Sequence, residues 1–275
     1  MAVILIGGSN FVAVRFSNAE LPPYWGATIR FLPAAVLLFA SLAVFRIPVP
    51  RGAALTGAAI YGALNFGAGY AFAYFGLQKT PAGTASVILA TAPIFAFVLA
   101  LVHGLERFRL RPLVGALIAA AGIGVVFAEQ LSSDVPPLYL LAMLANAATA
   151  AEAGVIAKRF PRTHALATNA VGMATGALIL AALSLAAGES HGLPQRPETQ
   201  LTVIYLATVG SIGLFGLFLF ILGRWTVSAS TYALVVMPLV ALTLGALLRG
   251  EPISAFFLLG AAIVAVGVYV GALSR

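Results

Sequence analysis

The second half of this 275-residue chain repeats the first. The run 84–125 returns without a gap as 229–270. Pro93 recurs as Pro238, Glu106 as Glu251, Gly115 as Gly260 and Gly122 as Gly267, at a constant offset of 145 residues. Both copies are almost wholly apolar. A duplicated hydrophobic half is the plan on which many membrane carriers are built, with the ligand held where the repeats meet. The fold this predicts is an all-α membrane protein.

Composition narrows the class further. The chain is 61% hydrophobic and 8% charged, against about 25% charged residues in a soluble domain. It contains no Cys, which removes disulfides, thiol nucleophiles and Cys metal sites. The net charge of +7 does not point to nucleic acid, because the basic residues form no continuous face and sit at the ends of apolar segments. Ten such segments follow one another: 2–17, 24–45, 53–77, 82–103, 113–127, 138–157, 165–187, 201–222, 227–248 and 255–273. Most approach the roughly 20 residues that cross a bilayer core. Pro-rich, Gly-rich and charged breaks separate them, and only 188–200 reads as a substantial loop. No basic leader precedes the first segment, so no cleavable signal peptide is expected.

Lys and Arg set the expected orientation. With a cytoplasmic N-terminus, ten of the 15 lie in inner loops or the tail, among them Arg46, Arg107, Lys158, Arg162 and Arg224. Three lie outside (Lys79, Arg196, Arg249) and two, Arg15 and Arg30, fall within segments. That asymmetry places both termini in the cytoplasm of a bacterial inner membrane. Ten spans divide into two fives, residues 1–134 and 135–275. Five is odd, so the second half enters the membrane inverted relative to the first.

Particular residues resemble a known family. Gly8-Ser9-Asn10-Phe11-Val12-Ala13-Val14-Arg15 is similar to the opening of the drug/metabolite transporter superfamily, in its EamA-type branch. Leu21-Pro22-Pro23 followed by Ile29-Arg30-Phe31 is similar too, and each half then carries a Pro, a Glu 13 residues on and a Gly-rich last segment. The resemblance spans both halves. It implies a carrier that exports amino acids or other small metabolites by alternating access, with segments 1, 3, 4, 6, 8 and 9 lining the path.

The candidate site residues are those whose presence in lipid needs explaining. Arg30 lies about 9 Å beyond the Tyr24-Trp25 interfacial pair, and a central Arg costs about 2.5–3.5 kcal/mol on insertion scales. It either braces helices or binds substrate. Glu152, six residues before Lys158, either holds a proton or a substrate amine, or bonds to the basic helix end. Arg15 reads as a snorkelling residue. Asn65, Tyr70 and Tyr74 with Phe66 form a polar-tipped aromatic stripe, suited to a pocket or to packing. Asn10, Ser86 and its repeat mate Thr231 complete the expected substrate contacts. Pro93 and Pro238 are candidate hinges, since Pro frees a carbonyl and bends a helix. Ala116, Ala120 and Gly124, and Gly267 with Gly271, form small-residue stripes for close helix contact within the chain or in a dimer. Glu106 and Glu251 read as surface caps or partners of nearby Arg.

Other classes fit less well. Ser9 as an intramembrane nucleophile needs a His base, and His103, His164 and His191 all fall at segment ends or loops. No metal-ligand spacing and no channel filter motif is present, so neither metal nor cofactor is expected. The expected partners are a small-molecule substrate, the lipid bilayer and a coupled proton or exchanged solute. A monomer or weak homodimer is anticipated. An efflux carrier for toxic compounds, or a non-transporting receptor or structural protein, is the alternative.

Overall fold

The computed structural model describes residues 2–80, 85, 88–126, 135–249 and 255–273, and among these it is helical, with no strand. The helices are α1 Ala2–Asn18, α2 Pro23–Val44, α3 Ala53–Gly62, α4 Tyr70–Gly76, α5 Ala92–Val102, α6 Leu110–Val126, α7 Pro137–Arg159, α8 Ala165–Ala186, α9 Pro197–Ala207, α10 Leu214–Leu222, α11 Val227–Arg249 and α12 Ala255–Val268. A π turn, Ala63–Gly69, joins α3 to α4, and another, Thr208–Gly213, joins α9 to α10. Their starts, 63 and 208, are repeat mates. Among the described residues, four rods are individually long and apolar enough to cross a membrane: Pro23–Val44, Pro137–Arg159, Ala165–Ala186 and Pro197–Leu222.

Local chemistry sets the ends. Pro23, Pro137 and Pro197 open their helices, where the missing N–H is no loss and φ is already helical. Gly104 and Gly188 close α5 and α8 at φ of 67° and 65°. There Leu105 N and Glu189 N donate back to Ala100 and Ser184 carbonyls, an arrangement that needs a left-handed residue. Arg46 ends α2 in the same way without being glycine, at φ 55°.

The tightest packing is between α6 and α12. A methyl on Gly122 would meet the Gly260 carbonyl at 2.9 Å, and one on Gly267 would meet the Gly115 carbonyl at 2.7 Å. The contact is antiparallel: Gly122 touches Gly260, the repeat mate of Gly115, and Gly115 touches Gly267, the repeat mate of Gly122. The close face is thus Gly115, Ala119 and Gly122 within one chain. Gly124 has open space around it, which corrects the expected stripe through Ala120 and Gly124. The remaining contacts exchange in the same manner: α1 packs on α11 and α5 on α7, while α8 packs on α3 and its π turn and α2 packs on α9 and its π turn.

The exterior is apolar. Leu178, Leu185, Leu201, Val36 and Val44 are each at least 60% exposed. Such a surface is one for lipid.

Candidate functional site

Arg30 is 0% exposed and anchors the centre of the molecule. Its Nε donates to Ser211 Oγ at 2.9 Å, and its Nη2 donates to the Gly210 carbonyl at 2.9 Å and to Tyr70 Oη at 3.4 Å. Its guanidinium carbon lies 4.8 Å from the Tyr70 ring centroid and 4.9 Å from that of Phe31, so cation–π attraction adds to the hydrogen bonds. These contacts offset the cost of burying a charge. They also tie α2 of the first half to the π turn of the second. Among the described residues Nη1 has no hydrogen-bond partner.

The π turns explain why the anchor forms here. In a π turn the helical ladder is displaced, and carbonyls become available to side chains. Gly210 O accepts from Arg30 and also from Asn10 Nδ2 at 2.8 Å. A Cβ at Gly210 would stand 2.4 Å from Asn10 Oδ1, so any larger residue here displaces the Asn10 side chain. Asn10 Oδ1 itself is buried and unpaired.

Arg30 and Asn10 line one cavity together with Asn65, Tyr70 and Tyr74. The first half also contributes Gly7, Phe11, Val14, Ala73, Leu77 and Leu89. From the second half come Asn146 and Ala150 on α7, Leu214, Phe215 and Phe218 on α10, and Leu234 and Met237 on α11. Phe215 is the repeat mate of Tyr70, and their ring centroids lie 6.1 Å apart. The cavity has a volume of about 120 Å³. One water needs roughly 10–15 Å³ on that measure. There is room for on the order of ten waters, or for a ligand of about ten heavy atoms. Among the described residues that line it there is no carboxylate.

The other candidates lie elsewhere. Glu152 is not in this lining: its Oε1 meets His103 Nε2 at 3.3 Å, between α7 and the end of α5. That replaces the expected contact with Lys158, whose Nζ donates to the Trp225 carbonyl. Thr231 is buried with its hydroxyl on the Ser228 carbonyl of its own helix. Ser86 and Glu251 fall outside the described residues. Pro93 sits in the first turn of α5, just after a turn at Ala90-Thr91, whereas Pro238 lies within the uninterrupted α11. Glu106 accepts from Ser228 N at 3.1 Å and Ser228 Oγ at 2.6 Å, capping α11 rather than pairing with Arg107. Arg15 lines a surface pocket beside Asn18 and Glu20. Ser9 shares a hydrogen bond of 2.5 Å with Tyr205 Oη, and none with a histidine.

Ser211, Gly210 and Asn146 escaped the sequence reading. The repeat offered a signal for one of them: Gly210 is the mate of Asn65, at the same position in the other half's π turn.

Known proteins share the family and the fold. The profile of the EamA-like transporter family matches residues 1–128 and again 137–272. The inner membrane transporter YedA of Escherichia coli is 29% identical over 255 residues, covering 92% of this chain and 82% of its own. A probable amino-acid metabolite efflux pump of Salmonella typhimurium is 26% identical, covering 98% of this chain and 92% of its own. A solved crystal structure superposes with a TM-score of 0.79 at 21% identity, over 99% of this chain and 94% of that one, a likeness of fold.

Proposed function

The chain belongs to the EamA-like transporter family and is a multi-pass membrane transporter; from that premise we propose that it exports a small amphipathic carboxylate, with an amino acid as the leading substrate, by alternating access around the Arg30 cavity. The observation that carries this reading is the buried guanidinium. It has one donor nitrogen unpaired and lines a cavity without an acid. A substrate carboxylate supplies the missing countercharge, and charge-assisted hydrogen bonds are the strong kind. Asn10 Oδ1 is an open acceptor for a substrate N–H, and Tyr70, Tyr74 and Phe215 offer ring faces to its apolar part.

Ten spans in two inverted halves, 1–134 and 135–275, with both termini cytoplasmic in a bacterial inner membrane, complete the proposal. The antiparallel exchange of Gly115 with Gly267 and of Gly122 with Gly260 supports the inversion. A two-fold axis in the membrane plane requires contacts of that form. Pro93 and Pro238 are the proposed hinges. Export fits the family resemblance and the efflux naming of the Salmonella relative.

A second reading, efflux of lipophilic toxic compounds, draws on the apolar wall of Leu89, Leu214, Phe218 and Leu234. Counterflow in proteoliposomes separates the two. Labelled L-phenylalanine is expected to exchange, with 3-phenylpropionate competing and phenethylamine not. Competition by phenethylamine alone supports lipophilic efflux, and exchange of none of the three probes refutes the carboxylate reading.

A further inference from the structure

The His103–Glu152 pair lies off the cavity, and its geometry fixes its proton count. His103 Nδ1 stands 2.9 Å from the Leu99 carbonyl. A carbonyl only accepts, so Nδ1 carries a hydrogen. With Nδ1 protonated, Nε2 of a neutral ring presents a lone pair, and across 3.3 Å it faces a Glu152 oxygen. A lone pair against a carboxylate repels. The contact therefore holds one further proton between Nε2 and Oε1, shared by the two groups. Glu152 Oε2 is buried without a partner, while both side chains retain 24% exposure. The pair is not sealed off, and among the described residues Oε2 has no hydrogen-bond partner.

Its position gives the proton a mechanical consequence. His103 closes α5 of the first half and Glu152 sits on α7 of the second, so the bond crosses between halves. The elements packed on the pair carry few other titratable groups. Lys158 and Arg159 lie on the last turn of α7, and Arg111 on α6. Tyr61 lies on α3, the cavity tyrosines on α4, and Tyr232 on α11. Glu106 stands just beyond α5. Glu106 is held by Ser228, Lys158 by the Trp225 carbonyl and Tyr232 by the Pro112 carbonyl.

We propose that His103 and Glu152 form a proton-binding site that latches the two halves at the end of the bundle bearing Lys158, and that this proton is exchanged for substrate. The inference rests on the transport reading above. On release, the bridging proton passes to water as hydronium, the pair goes from net zero to net minus one, and the repelling lone pairs part. No electron changes hands. Opening of that end then follows deprotonation, and rebinding of one proton recloses it.

The test uses the whole protein in liposomes, with labelled L-phenylalanine and the entrapped pH dye pyranine. A pH gradient is expected to drive phenylalanine accumulation by the wild type at least tenfold. Glu152→Gln and His103→Gln should keep more than half of the gradient-independent counterflow, yet lose that tenfold accumulation and the dye response. Variants that keep both, or a wild type that exchanges phenylalanine with no response to the gradient, overturn the latch. A wild type that moves no phenylalanine instead defeats the carboxylate substrate. In that case the ¹⁵N imidazole resonances that vanish in His103→Gln decide the proton site. They should lose one proton as pH rises in the wild type and follow a different course in Glu152→Gln. Identical titration in the two overturns the proposal.

Discussion

At the scale of single residues, Arg30 was legible because an Arg in lipid demands a partner, and its burial cost marked it before any contact was known. What sequence could not show was that the partner would be a backbone carbonyl freed by a π turn, with Ser211 beside it. Spacing along one helix likewise pointed Glu152 at Lys158, whereas its actual neighbour, His103, comes from another helix. Hydrogen bonds to a charged group contribute about 1.5–3 kcal/mol each. Arg30→Gln is therefore expected to cut phenylalanine counterflow per folded molecule at least tenfold and to lower the melting temperature in detergent. Arg30→Lys should not restore counterflow, since an ammonium cannot reproduce the fork that reaches both Ser211 and Gly210. Because Arg30 and Glu152 occupy different sites, the stability losses of Arg30→Gln and Glu152→Gln should add within about 0.5 kcal/mol. A double variant more stable than additivity predicts would reveal a coupling absent from these contacts.

Elements were legible where hydrophobic runs and Pro starts coincide, as at Pro23, Pro137 and Pro197. Helix contacts were not, because periodicity names a small-residue face without naming what it meets. The Gly62 face illustrates this. A methyl there would lie 2.3 Å from the Gly172 backbone, where α3 crosses α8. Gly62→Ala is expected to destabilise by about 1–3 kcal/mol, as overpacking does. Gly216→Ala, with open space around it, should be neutral or slightly stabilising in the same thermal assay. The loop after α8 carries a second prediction. Glu189 accepts from Tyr24 N and Trp25 N at the start of α2, while Glu20 holds the start of α9. The Thr199 hydroxyl, then the amides of Gln195 and Arg196, keep the Glu20 carboxyl below the usual carboxylate range. A lowered value means the tether is complete above the ordinary carboxylate pKa and is lost as pH falls through the lowered one. Hydrogen exchange of residues 195–200 should therefore speed up, at constant intrinsic rate, in that acid window. Glu20→Gln should remove the step.

The whole molecule follows from the repeat. An offset of 145 residues foretold two related halves, and it recurs in the paired π turns and in the meeting of Tyr70 with Phe215. The chemical asymmetry of the cavity was not foretold, because Asn65 and Tyr70 of the first half correspond to Gly210 and Phe215 of the second, and divergence after duplication leaves no periodic trace. In the proposed cycle the cavity opens to each side in turn while Arg30 holds the substrate. The natural absence of Cys allows that cycle to be observed directly. Ala150 lines the cavity and is partly exposed, and Ala150→Cys adds a single thiol there at little cost in volume. Reaction of that thiol with a membrane-impermeant maleimide should proceed from either face of oriented vesicles, and L-phenylalanine should slow it from both. Reaction from one face alone, indifferent to L-phenylalanine, would contradict alternating access around this cavity.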